Sequence, residues 1–208
     1  MKRLATALVL IPLVVWVILG APWWTFVAVQ VVVGLFALAE VVQIGKNVWI
    51  STLGGVIYIG GAWVCAFHLR AMNPRWLLFA FLLCWAGDTA ALYVGKNFGR
   101  HKMAPQISPG KTWEGAGASV VVGVLVGAIF AHFLLPAAPL GMVLMIAALG
   151  NIAGQFGDLV ESAYKRWGGV KDSGSSLPGH GGWLDRIDSS LLSVPVVYAV
   201  LKAVASSQ

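Results

Sequence analysis

Charge is what this chain has least of. Only 11% of its 208 residues are Asp, Glu, Lys or Arg, whereas a soluble domain carries about a quarter. That deficit excludes a soluble globular protein. Cysteine is scarce too. Cys65 and Cys84 both sit in apolar segments, which excludes a disulfide framework or a thiolate metal site and leaves two small packing residues. Bases outnumber acids and the net charge is +6. The bases are scattered through short segments without an aromatic-interleaved basic face, so no nucleic-acid partner is implied. No internal repeat supports an inverted-repeat transporter. What the chain does have is apolar residues, 59% of the total, with a mean hydropathy of +0.83. That is the composition of a polytopic, all-α transmembrane bundle.

Crossing a bilayer takes about 20 apolar residues. Seven segments qualify as expected spans: 4–20, 23–44, 48–69, 76–95, 114–135, 140–163 and 186–203, the last being the shortest. Residues 1–19 resemble a signal peptide, but no small-residue cleavage site follows, so they are read as a retained first span. Breaks fall at Gly20-Ala21-Pro22, at Asn73-Pro74 and between Pro136 and Pro139. Trp23, Trp24, Trp49, Trp76 and Trp113 lie near span ends, where amphipathic rings anchor at the interface. With the N-terminus in the cytoplasm, eleven basic residues fall inside, and Arg70, Arg75 and Lys202 fall outside. The positive-inside rule therefore places the polar loops 96–113 and 164–185 on the cytoplasmic face. The whole chain, 1–208, reads as one integral membrane domain.

The few charges are not spread evenly. Asp158, Glu161, Asp172, Asp185 and Asp188, five of the eight acids, fall within 158–188. Gln155, Asp158, Glu161 and Lys165 recur at helical spacing and form a polar stripe on the sixth span, with Gly150, Gly154 and Gly157 allowing close helix approach. Asp185 and Asp188, three apart, share one face at the start of the last span. A carboxylate in hydrocarbon costs several kcal/mol unless paired or hydrated. Asp158, Asp185 and Asp188 are therefore the expected metal ligands. An all-oxygen set suits Mg²⁺ or Mn²⁺, usually shared with substrate phosphates. Asp88 in the fourth span and Glu161 are further candidates. Glu40, alone in the second span, stays open between a functional and a structural role. Lys165, Arg166, Lys171, His180 and Arg186 surround the acids, as a polyphosphate requires. His180 stays open between a phosphate donor, a proton carrier and a backbone-satisfied loop histidine. Asp172 either binds metal through water or orients Lys171. Gly181 and Gly182 belong to a glycine-rich run whose N–H groups can approach phosphate. In the 96–113 loop, Gly110-Lys111-Thr112 resembles the end of a P-loop, but the first glycine would fall at Pro105 and no strand precedes it. A P-loop is excluded, and Ser108, Lys111 and Thr112 remain as candidate phosphate contacts.

These residues resemble a known signature. SAYKRWGGVKDSGSSLPGHGGWLDRID, residues 162–188, is similar to the phosphatidate cytidylyltransferase pattern S-x-x-K-R-x4-K-D, spacer, P-G-H-G-G, two residues, D-R-x-D. GQFGDLVES resembles the family's G-Q-x-G-D-L-x-E-S, and ISPGKTWEG its I-S-P-x-K-T-x-E-G. Asp88-Thr89 followed by GKNFGRHK also fits. The match covers about 85–190, the expected catalytic core. Residues 1–75 match in character only, and members of the family run to longer chains. The resemblance implies a transferase of phospholipid biosynthesis in which CTP and phosphatidic acid give CDP-diacylglycerol and pyrophosphate. It further implies Mg²⁺ dependence with room for a second cation, a homodimer, and residence in a prokaryotic cell membrane. Catalytic roles would fall to Lys165, Arg166, Lys171, Asp172, His180 and Arg186. The alternatives are the same transfer to another lipid phosphate, such as an archaeal ether lipid, or an ion transporter. A transporter predicts intramembrane charges spread over several spans, whereas here they gather at one face.

Overall fold

Each break in the sequence becomes a helix boundary. The computed structural model describes residues 2–176 and 181–206, with side chains from Leu8 onward. Its helices are α1 (Lys2–Leu19), α2 (Trp23–Ile44), α3 (Val48–Met72), α4 (Pro74–Phe98), α5 (Trp113–Leu134), α6 (Leu140–Trp167), α7 (Leu184–Ile187) and α8 (Ser190–Ala205). Asn73 closes α3 and opens α4. Its N–H donates to Leu69 O at 2.9 Å, and its side chain accepts from the Arg75 N–H at 3.0 Å. Pro74 follows at the first helical position, where its missing N–H costs nothing. Thr112 caps α5 by accepting from the Gly115 N–H at 3.2 Å. Glu114, in the first turn, accepts from the N–H and the ring nitrogen of His101.

The described residues include six helices long and apolar enough to cross a membrane: α2 to α6 and the stretch Leu184–Ala205. The first helix contributes a shorter apolar run, Leu8–Leu19. Two details differ from the sequence expectation. The 96–113 loop contains an antiparallel hairpin of β1 (Lys102–Ala104) and β2 (Ser108–Thr112), with Lys102 opposite Thr112 and Ala104 opposite Ser108. Strands this short carry no readable alternation. The last span is interrupted at Asp188-Ser189, because side chains there compete with the backbone ladder. Asp188 accepts from the Ser189 N–H at 2.6 Å, and Ser190 Oγ donates to Ile187 O at 2.6 Å.

The fourth helix is central, packed by α1, α3, α5, α6 and α8. Leu77, Phe79 and Leu83 are fully buried against Val143, Ile146 and Ala147 of α6 and Val197 of α8. Lipid tails are as apolar as leucine, so such contacts stabilise through close packing rather than water release. The outward faces are apolar, with Trp49 84% and Phe133 72% exposed, as lipid-facing surfaces require. A second cluster joins α2 and α3 to Leu184 and Leu191. Tyr164 of α6 fastens it by donating to Val41 O at 2.7 Å. The two clusters hold α6, α7 and the start of α8 side by side, which sets up the polar site.

Candidate active site

Asp158 and Glu161 lie one turn apart on α6, and Asp188 lies at the α7–α8 break. One carboxylate oxygen from each falls within 4.8 Å of the others, the only such ligand group of three among the described residues. Gly157 makes this meeting possible. A Cβ there would stand 2.6 Å from the Asp188 carbonyl oxygen, so any other residue would push the break away from α6. Unit charges 4.8 Å apart repel by about 3–4 kcal/mol at an effective dielectric near 20. Two lysines offset this. Lys111 of β2 reaches Asp158 at 2.7 Å. Lys165 reaches Glu161 at 3.1 Å and Asp185 at 2.6 Å. Asp88 of α4 accepts from Ser189 Oγ at 3.4 Å and lies within Coulombic reach of Asp158, Asp188 and Lys111. Five carboxylates therefore face two ammonium groups, an imbalance suited to a cation.

Two atoms sharpen that reading. Glu161 Oε1 is buried with no hydrogen-bond partner. A buried acceptor left unpaired costs about 1–3 kcal/mol, more when charged, and coordination to a cation would satisfy it. Lys111 Nζ is likewise buried, and its one polar partner among the described residues is Asp158 at 2.7 Å, which leaves part of its three-donor capacity for an anionic ligand. The donor set is all oxygen, the chemistry of Mg²⁺ or Mn²⁺.

The structure places the remaining expected residues as follows. Asp185 does not join Asp158 and Asp188. It accepts from Lys165, from the Ser173 N–H at 3.1 Å and from the Gly182 N–H at 2.8 Å, and Glu161 takes the third place in the group. Gly181 has φ +76°, the left-handed region that favours glycine, and delivers the Gly182 N–H to that carboxylate. Arg166 is exposed and donates to Ile107 O and Val170 O, each at 3.1 Å, tying the hairpin to the end of α6. Lys171, Asp172 and Arg186 are exposed. Ser108 is half-buried in β2, and Thr112 is buried as the α5 cap. His180 lies outside the described residues.

Sequence reasoning passed over Ser119, Asn151 and the partners of Gln155. Ser119 Oγ donates to Asn151 Oδ1 at 3.1 Å. Asn151 Nδ2 donates to Leu83 O at 3.2 Å, and Gln155 Nε2 to Asn151 Oδ1 at 2.9 Å. An uncharged asparagine on an apolar helix face was the available signal. Glu40, left open from sequence, is buried and accepts hydrogen bonds from four groups of the signature loop.

Known proteins share this chain's pattern. A phosphatidate cytidylyltransferase of Staphylococcus epidermidis is 40% identical over 149 residues, covering 72% of this chain and 57% of that protein. Those of Bacillus subtilis (41% over 148 residues, 70% and 55% covered) and Staphylococcus aureus (39% over 158 residues, 72% and 57%) are similarly close. The chain spans little more than half the length of these relatives. The model of the cytidylyltransferase family matches residues 49–204, which include the hairpin, the carboxylate group and both lysines. The chain belongs to the cytidylyltransferase family.

Proposed function

We propose that this chain transfers a cytidylyl group from CTP to phosphatidic acid, giving CDP-diacylglycerol and pyrophosphate. The observation that carries the proposal is the Asp158, Glu161 and Asp188 carboxylate group, flanked by Lys111 and Lys165 at the polar end of membrane-spanning helices. That the relatives are phosphatidate cytidylyltransferases supports phosphatidic acid as the acceptor.

A phosphate oxygen of the lipid would attack the α-phosphorus of CTP in line. The bond from the α-phosphorus to the bridging oxygen breaks, and pyrophosphate leaves with that electron pair. The attacking phosphate is already ionised at neutral pH, so no strong base is required and catalysis is positioning plus charge neutralisation. Asp158, Glu161 and Asp188 would hold Mg²⁺, which supplies charge neutralisation at the triphosphate. Asp88 stands ready as a ligand for a second cation. Lys111 donates to phosphate oxygens from the hairpin side. Lys165, held between Glu161 and Asp185, presents positive charge from the α6 side. Exposed Lys171 and Arg186, together with Arg166 and His180, complete the phosphate contacts.

The same proposal includes cytoplasmic placement of the site, supported by the bias of basic residues. It also includes a homodimer in a prokaryotic cell membrane, supported by the family resemblance. The test is direct. Purified protein in detergent is given labelled CTP, phosphatidic acid and Mg²⁺, and label extracted with lipid is counted. Lipid-borne label is expected. Its absence across detergents and divalent ions overturns the reading.

A further inference from the structure

Glu40 lies on α2, before the residues that the family model matches. We propose that it is a positioning residue for the reaction: it holds both described stems of the signature loop, and through them sets Asp185 and Lys165. This rests on the function proposed above.

Glu40 is 4% exposed. Its donors are Ser173 Oγ at 2.7 Å, Ser176 Oγ at 3.4 Å, the Trp183 N–H at 3.0 Å and the Leu184 N–H at 2.9 Å. Two stand before residues 177–180 in the chain and two after them, so one carboxylate clasps both described stems. All four donors are neutral dipoles, and a carboxylate accepts such bonds about twice as strongly as an uncharged acceptor does.

The clasp continues into the acid group. Ser173 Oγ, bonded to Glu40, also accepts from the Asp185 N–H at 3.4 Å, and the Ser173 N–H donates to Asp185 Oδ2 at 3.1 Å. Asp185 Oδ1 holds Lys165 Nζ at 2.6 Å, and Lys165 reaches Glu161 at 3.1 Å. One hydrogen-bonded chain thus runs from α2 to the carboxylates of α6. Two glycines fit closely around Glu40. A Cβ on Gly174 would stand 2.7 Å from Glu40 Oε1, and one on Gly182 would overlap Glu40 Oε2 and Ser173 Oγ.

The requirement is two acceptor oxygens, which separates positioning from space-filling. Glu40→Gln keeps the volume but turns an NH₂ toward N–H donors. The experiment compares wild type, Glu40→Gln, Ser173→Ala and the double variant, each as full chain in detergent. Hydrogen exchange is read at the Trp183 and Leu184 amides and along α4 and α5, and CTP kinetics are measured. In Glu40→Gln the two loop amides should exchange at least about tenfold faster while α4 and α5 stay unchanged. The KM for CTP should rise about tenfold with a smaller change for phosphatidic acid, as expected for a displaced contact. Ser173→Ala should move the CTP KM the same way, and the double variant should be no worse than Glu40→Gln, because the residues act in series. Unchanged loop exchange, an unchanged CTP KM, or acceleration spread equally over α4 and α5 overturns the proposal. If Glu40→Gln does not fold, Ser173→Ala decides, and a CTP KM equal to wild type overturns it. If wild type transfers nothing, the proposed function falls, and the exchange readout still judges the hold of Glu40 on the loop.

Discussion

One helix, α6, carries two polar stations that differ in kind. At Asn151 and Gln155 the groups are neutral and the bonds close on one another: Ser119, Leu83 O and Ala116 O meet the two amides. One to three turns on, at Asp158, Glu161 and Lys165, the groups are charged, the acids outnumber the lysines, and Glu161 Oε1 has no partner. A polar network that satisfies itself stabilises the helix contact where it sits. A network left short of positive charge is built to receive something. One face of one helix thus carries a closed neutral network and, further along, a charged group short of cations.

Four measurements would break or sharpen that contrast. Removing divalent ions with EDTA should lower lipid labelling below about a thousandth, since a metal's share is several kcal/mol, with restoration by Mg²⁺; labelling that survives chelation refutes the metal role. Asp188→Asn should slow turnover about 100-fold, near 2.7 kcal/mol. Its melting temperature in detergent should hold or rise, because one repelling charge is gone; a large fall would make Asp188 structural. Asn151→Ala should do the reverse. Unsatisfying the buried network should cost about 1–3 kcal/mol of stability, read as a lower melting temperature, and turnover per folded molecule should change little. Lys111→Ala should raise the KM for CTP about tenfold, near 1.4 kcal/mol, and should lower the melting temperature, because the carboxylate repulsion loses one of its two offsetting charges. An unaltered KM would mean that Lys111 serves only Asp158.

Much of the bundle was legible in one dimension. The expected span 114–135 is α5, Trp113–Leu134, and 23–44 is α2, because a run of apolar residues ended by Pro, Gly or a capping side chain needs no tertiary information. The sixth helix ran past its expected end at 163 to Trp167. Hydropathy ends a span at charge, whereas the structure buries Lys165 between Glu161 and Asp185. The hairpin was missed because three-residue and five-residue strands have no periodicity to read.

The acids show where the boundary lies. Their number, their crowding into 158–188 and the helical spacing of Asp158 with Glu161 were properties of the chain alone. Which of them converge was not. Asp185 and Asp188 share a spacing that suggests a common target, yet Asp188 turns to α6 where Gly157 admits it, while Asp185 turns to Lys165 and the loop amides. Glu40 could not be assigned from sequence at all, because its partners stand more than 130 positions away. Spacing along a helix sets direction within that helix. The distance between carboxylates on different helices is set by how closely and at what rotation the helices pack, and only the folded chain decides that.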